Sequence, residues 1–262
     1  MSLPQRELGQ TGLSVSCLGL GTVKFGRNEE VKYPSSFAIP SDEEVVALLD
    51  QAKSLGINLL DTAPAYGSSE QRLGRLLTDR EDWRICTKVG EEFISGKSSH
   101  DFSRDHVKRS IERSLHNLNT DYLDLVLIHS DGNDLAIIET MECIEALVQF
   151  QDAGVIGAIG MSTKSVEGGL RAVDLLDVVM VTYNPGYIDD EAVIDHALAN
   201  NKGVLIKKAL NSGHDCKEGE NGLEKNFDFI LNREGVNSII IGTINPMHLK
   251  DNVRLAKKVL GA

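Results

Sequence analysis

Gly56-Ile-Asn-Leu-Leu-Asp61-Thr-Ala-Pro-Ala-Tyr66-Gly-Ser-Ser-Glu-Gln-Arg-Leu-Gly74 is the stretch from which the rest of the chain is read. Its apolar run, Leu59 and Leu60, breaks at Asp61 into a Pro/Gly/Ser turn, and an amphipathic segment follows from Ser69. That order is a strand, a turn and a helix, one βα unit. It leaves a carboxylate at the strand end and Tyr66 on the loop five residues later, so that both project into one cavity mouth. Cys86-Thr-Lys88-Val89 places a lysine at the end of a second apolar run, and Val126-Leu-Ile-His129 a histidine at the end of a third. Each residue also has a bland reading: a turn cap for Asp61, packing for Tyr66, a solvated charge for Lys88 and a structural ring for His129. Four such coincidences on consecutive strand ends favour an active site.

The same alternation runs outward in both directions. The pattern predicts strands near 17–21, 58–62, 84–89, 123–129, 155–161, 178–183, 203–209 and 238–242. Helices are predicted near 41–55, 69–78, 103–118, 137–153, 165–174, 190–201, 223–233 and 246–259. Ser41-Asp-Glu-Glu44 reads as a capping box, and Ser103 as a cap before a basic helix. Eight βα units point to an α/β fold, a closed (β/α)8 TIM barrel, with an open doubly wound sheet as the competing arrangement. The prefix from Gln5 to Val15 carries glycines around a tight turn and is expected to form a short N-terminal β-hairpin covering the barrel bottom. No linker or low-complexity tract interrupts residues 1–262, which read as one domain.

Composition narrows the function classes. A chain of 262 residues with 41% hydrophobic content buries a full barrel core. A net charge of −12 argues against nucleic acid and anionic membranes as partners. No apolar run approaches the roughly 20 residues that span a bilayer. The N-terminus lacks the apolar core of a secretion leader. Cys17, Cys86, Cys143 and Cys216 fit no metal-ligand spacing and read as reduced thiols of a cytoplasmic protein. No protein partner is indicated.

In a barrel, functional groups gather on loops at the C-terminal strand ends. Three connections are long there, Val23–Pro40, Gly90–Phe102 and Asn211–Gly222, and read as mobile loops bordering the site. A lysine at a dry barrel mouth needs a carboxylate, so Lys88 is expected to pair with Asp61 on the neighbouring strand. The ammonium then favours the phenolate of Tyr66 and makes it a general acid near neutral pH. His129 donates a hydrogen bond to a substrate oxygen. Such a set suits protonation of a carbonyl oxygen as its carbon gains a hydride, with no metal required.

With these residues in place, the chain resembles the aldo-keto reductases nearly end to end. The resemblance rests on Arg6-Glu-Leu-Gly-Gln-Thr-Gly-Leu-Ser-Val-Ser16, Leu18-Gly-Leu-Gly-Thr22, the Asp61/Tyr66 motif, Lys88, His129, Gly160-Met-Ser162 and the Gly242 to Asn252 region. It implies Tyr66 as proton donor, Lys88 and Asp61 as its activating pair, and His129 as the carbonyl-orienting group. It implies a nicotinamide dinucleotide extended across the barrel top, NADPH on family grounds with NADH left open, and a small aldehyde or ketone as substrate. The resemblance assigns cofactor contacts to Gly21, Thr22, Ser162, Thr163, Tyr183, Lys207, Leu210, Ser212, Gly242, Thr243, Asn245, His248, Asp251 and Asn252. The segment Ala209-Leu-Asn-Ser-Gly213 is similar to the family's pyrophosphate-covering loop, and the helix start after Asn245 to its adenosine site, where unpaired N–H groups favour phosphate.

Several positions depart from the family pattern. Thr163 stands where an asparagine is usual, Met180 where a glutamine is usual, and Lys207-Lys208 where an aromatic residue often stacks on the nicotinamide. Gly242 and His248 occupy positions that are usually basic in members preferring the 2′-phosphorylated cofactor. Asn245-Pro246 also reads as an ordinary helix cap. The family's C-terminal loop has no counterpart after Ala262, which implies a more open mouth. Asp131 at the rim favours a small polar carbonyl. Two other readings stay open: a cofactor-binding redox sensor without turnover, and a Schiff-base barrel lyase using Lys88 or Lys207.

Overall fold

The computed structural model describes residues 2–31, 36–210 and 219–262, without the side chains of 219–221. In chain order, the first part runs β1 (Gln5–Glu7), β2 (Ser14–Ser16), β3 (Leu18–Gly21), α1 (Val23–Gly26), α2 (Asp42–Ser54), β4 (Leu59–Asp61), α3 (Ser69–Leu76) and β5 (Arg84–Val89). Next come β6 (Glu91–Ile94), β7 (Lys97–His100), α4 (Arg104–Asn117), β8 (Leu123–His129), α5 (Asp134–Thr140), α6 (Glu142–Asp152) and β9 (Ile156–Ser162). The remainder is α7 (Val166–Leu175), β10 (Val178–Thr182), α8 (Glu191–Ala199), β11 (Gly203–Lys207), α9 (Gly219–Leu231), β12 (Ser238–Ile241) and α10 (Pro246–Leu260).

Strands β3, β4, β5, β8, β9, β10, β11 and β12 pair in that order, all parallel, and β12 returns to β3. The barrel is closed, so the (β/α)8 expectation holds and the open sheet does not. Strand alternation divides the core in two. Leu59, Cys86, Leu125, Leu127, Ala158, Val178, Met180 and Leu205 fill the barrel. Their neighbours, such as Leu60, Val126, Ile128 and Val179, pack outward under the helices.

The N-terminal hairpin plugs one end. Leu8 and Val15 join the interior cluster, and Asn58 accepts from Ser16 N at 2.7 Å while donating to Ser14 O at 3.0 Å. Asn237 donates to Glu7 O at 2.7 Å. Both asparagines precede strands, so the hairpin closes the N-terminal end of the barrel. The opposite end, where Asp61, Lys88, His129, Ser162 and Lys207 lie, forms the mouth.

Three readings of the chain need correction. The helix expected over 137–153 is two helices, because Met141 adopts a left-handed conformation at φ 61° between α5 and α6. The 90–102 connection, read as a mobile loop, contains the antiparallel hairpin β6–β7, in which Glu91 pairs with His100 and Ile94 with Lys97. Gly90 admits the turn into it at φ 103°, where a Cβ would lie 2.3 Å from the Phe102 ring. Strand β11 stops at Lys207, short of the expected 209, because Lys208 turns to φ 56°.

Candidate active site

Asp61 ends β4 and Lys88 lies next to the end of β5, and these strands pair directly. Both side chains are almost fully enclosed, Asp61 at 4% and Lys88 at 1% exposure. Lys88 Nζ donates to Asp61 Oδ1 at 2.5 Å and to Thr62 O at 2.8 Å. Burial alone would strip the charge from this amine, but Asp61, supported by Tyr66 and Cys86, holds its pKa above the usual lysine range. The 3-10 turn Pro64–Tyr66 brings the tyrosine back over the pair. Tyr66 OH donates to Asp61 Oδ2 at 3.4 Å, and Lys88 Nζ lies 4.7 Å from the ring centre. Gly67 makes the fold-back possible at φ 62°, where a Cβ would meet Gly26 O at 2.1 Å.

His129 ends β8, with its ring 6.3 Å from that of Tyr66 and edge-on to it at 86°. The structure therefore brings together the four side chains picked from three strand ends. It also adds one that the sequence reading passed over. Glu91, the first residue of β6, places Oε2 2.9 Å from His129 Nδ1 in a bent contact. Glu91 accepts from the Ser98 hydroxyl at 2.8 Å and lies 3.7 Å from Arg27. Burial pushes the Glu91 pKa up, but the contacts with His129 and Ser98 outweigh it and hold the carboxylate at about 2. His129 is shifted below the ordinary histidine value by burial and by the Lys88 and Lys207 charges, with Glu91 opposing.

The other side of the mouth has a different arrangement. Ser162 ends β9 in register with His129. Lys207, at the end of β11, reaches past β10 to donate to Ser162 Oγ at 2.8 Å and Thr163 O at 2.5 Å. Lys207 is partly exposed as a residue, yet its ammonium is crowded by protein. That crowding, with Lys208 and Lys164 adding repulsion, depresses its pKa to about 7 against the weaker pull of Asp190 and Asp134. Thr163 Oγ1 is buried without a hydrogen-bond partner among the described residues. Asp134 is the buried anchor of this loop, accepting from Lys164 N at 2.8 Å, Ser165 N at 2.7 Å and the Ser130 hydroxyl.

The remaining sites picked from the sequence separate into groups. Gly21 packs closely on Ile240, where a Cβ would stand 3.1 Å from Cγ2. Thr22 is fully buried, with its hydroxyl between Asp61 O at 2.9 Å and Ser69 Oγ at 2.7 Å. Tyr183 stacks on Phe229 of α9, ring centres 5.0 Å apart, and donates to Glu191 at 3.3 Å. Its ring packs in the outer, helix-facing layer. Leu210 packs against the outer core, and Ser212 lies outside the described residues. Gly242, Asn245, His248 and Asp251 are exposed around the start of α10, while Thr243 and Asn252 are buried. The unpaired donors expected there are absent: Pro246 has no N–H, and Asn245 Oδ1 accepts from Met247 N at 2.9 Å and His248 N at 3.3 Å. Asp131 accepts from Asn133 N at 2.8 Å and so caps its own turn.

Comparison with known proteins follows the same lines. The family model described as aldo/keto reductase family matches residues 17–228. The chain belongs to the aldo-keto reductases. A solved structure from Pseudomonas aeruginosa, assigned to that family, shares 52% identity at TM-score 0.90, covering 99% of this chain and 97% of that one. The holo form of a Bacillus halodurans aldo-keto reductase, at 24% identity and TM-score 0.82, shares the fold. An uncharacterised Bacillus subtilis oxidoreductase, YqkF, is 33% identical over 96% of this chain and 90% of its own length. L-galactose dehydrogenase of Arabidopsis thaliana is 32% identical over 70% of this chain, but the match spans only 54% of that enzyme.

Within this chain, Glu91 escaped sequence reading because it lies on a hairpin that the composition of 90–102 disguises as a loop. Glu91-Glu-Phe-Ile94 shows no period-2 alternation, and the Ser95-Gly96 turn pair is the signal that was there to find.

Proposed function

We propose that this aldo-keto reductase reduces an aldehyde or ketone to an alcohol with a nicotinamide dinucleotide as hydride donor. The observation that carries the proposal is the buried Lys88–Asp61 pair set against the Tyr66 ring. In this reading Tyr66 delivers its proton to the carbonyl oxygen. The Lys88 ammonium stabilises the charge left on the phenolic oxygen, and Asp61 keeps that ammonium charged in a dry site. His129 holds the substrate oxygen beside Tyr66. Interior packing by Leu59, Cys86 and Leu127, on the same strand faces as the pair, excludes water and keeps the ion pair strong.

The donor set on the opposite side suits the amide end of such a cofactor. Ser162 Oγ, the unpartnered Thr163 Oγ1 and the Lys207 ammonium offer hydrogen bonds to a carboxamide. When bound, the cofactor supplies the hydride. Because the N–H groups that open α10 are taken by Asn245, a 2′-phosphate would depend on the side chains of His248 and Lys250. NADPH remains the proposed cofactor. Small polar carbonyls are the proposed substrates, consistent with the sugar dehydrogenases among the relatives.

A fluorescence titration with NADPH and, in parallel, NADH tests this reading, followed by addition of small aldehydes to the complex. Binding followed by cofactor consumption is the expected result. Failure of both cofactors to bind would remove the proposal. A second reading has one observation in its favour: Lys207, pushed down to about 7, is partly free amine at neutral pH, as Schiff-base chemistry requires. Borohydride trapping of a carbonyl adduct on Lys207 would support it.

A further inference from the structure

We propose that Glu91 is a positioning residue that fixes a proton on Nδ1 of His129, so that Nε2 meets the substrate as an acceptor when the ring is neutral and as a donor only when the ring is protonated. The inference rests on the reading of His129 as the substrate-orienting group. A neutral imidazole carries its proton on one nitrogen, and the neighbours of that nitrogen decide which. A lone pair on Nδ1 would face a carboxylate oxygen 2.9 Å away, whereas an N–H there is attracted to it. The carboxylate is held in place by Ser98 at 2.8 Å and by Arg27 at 3.7 Å. Nδ1 is enclosed, so the 18% exposure of the His129 side chain lies along its other edge.

A carbonyl oxygen only accepts hydrogen bonds, and it finds a lone pair at Nε2 of the neutral ring. It is bound well by the imidazolium, for which Glu91 is the counter-ion. A hydroxyl group can donate to Nε2, so the neutral ring suits the alcohol. The charged groups around His129 are Glu91 on β6, Lys88 on β5 and Lys207 on β11, with Tyr66 and Asp61 on the β4 side and Arg27 and His100 beyond Glu91. The lysines oppose protonation and Glu91 is the group that favours it. Carbonyl reduction therefore gains on the acid side of the His129 titration and alcohol oxidation on the alkaline side.

The test is 15N NMR of histidine-labelled full-length protein above the imidazole titration, with the His129 signal assigned by its loss in His129→Gln. The expected wild-type signature is a protonated Nδ1 and a bare Nε2. In Glu91→Gln the pattern shifts, the His129-dependent limb of carbonyl reduction moves to lower pH, and kcat at neutral pH falls on the order of tenfold, the electrostatic support of one adjacent carboxylate. Glu91→Asp restores both, and Ser98→Ala, which keeps the carboxylate, retains the wild-type signature. A protonated Nε2 in the wild type overturns the inference. So does a Glu91→Gln variant that loses rate with its 15N pattern and pH limb unchanged. The wild-type spectrum decides the point even where Glu91→Gln does not fold. Absence of any carbonyl reduction by the wild type would instead strike at the proposed function, leaving the position of the proton still measured.

Discussion

On the side of the mouth built by β4, β5 and β8, Lys88 is buried against a carboxylate at 2.5 Å and stays charged above the usual lysine range. On the side built by β9, β10 and β11, Lys207 is bound by a hydroxyl and a carbonyl, and its pKa falls to about 7. Both lysines lie at or near strand ends, and both ammonium groups are crowded by protein. The difference is the partner: a neutral acceptor satisfies an N–H but does not offset the loss of hydration, whereas a carboxylate does both. One fold thus holds a fixed cation beside the tyrosine and a titrating one across the mouth.

Removing the chemistry from the first side should give the largest effect. Tyr66→Phe is expected to lower carbonyl reduction by on the order of 10²- to 10⁴-fold, with cofactor binding close to normal in a fluorescence titration. Unchanged turnover would remove Tyr66 as proton donor. Lys88→Met leaves Asp61 buried without its cation, and denaturant unfolding should report a loss of about 3–5 kcal/mol along with loss of turnover. Adding Asp61→Leu should recover stability without recovering activity; recovery of both would mean that the pair is structural only.

A third substitution tests the hairpin that braces the first side. Gly90→Ala places a side chain at φ 103° against Phe102, for an expected cost of about 1–3 kcal/mol. Because Glu91 follows directly, the same variant should also lower turnover; a stability loss with normal turnover would separate the hairpin from the site.

The second side is tested by the pH slope from Lys207. Its folded-state pKa is depressed below that of the unfolded chain, so the unfolded state holds more protons between the two. Stability should then rise with pH from about 7 toward roughly 10.4, the unperturbed lysine value. Lys207→Met should flatten that rise in unfolding midpoints measured across the range. A rise that persists unchanged would show that Lys207 is not depressed.

The closed barrel was legible because periodicity repeats: each barrel strand carries an apolar run, and α2, α4, α7 and α10 open on side-chain caps at Ser41, Ser103, Ser165 and Asn245. The Asp61, Tyr66, Lys88 and His129 cluster was legible for a related reason, since strand ends in register are neighbours in space. Met141 was not readable as a break because nothing in its side chain favours a left-handed backbone. Glu91 was hidden by a hairpin whose outer strand, Lys97–His100, is entirely exposed and polar. The start of α10 carries two readings, a phosphate site and an ordinary cap, and the hydrogen bonds from Met247 and His248 to Asn245 show the cap.

In the proposed reaction the two sides of the mouth act together, one delivering a proton and the other holding a hydride donor. The direct test is a single turnover: protein loaded with one equivalent of NADPH, mixed with a small aldehyde, and followed by the loss of cofactor fluorescence for wild type and Tyr66→Phe. The predicted result is rapid loss in the wild type and a retained signal in the variant, with NADPH bound in both. A wild-type complex that keeps its NADPH across a range of carbonyls, or a variant that consumes it at the wild-type rate, would contradict the account.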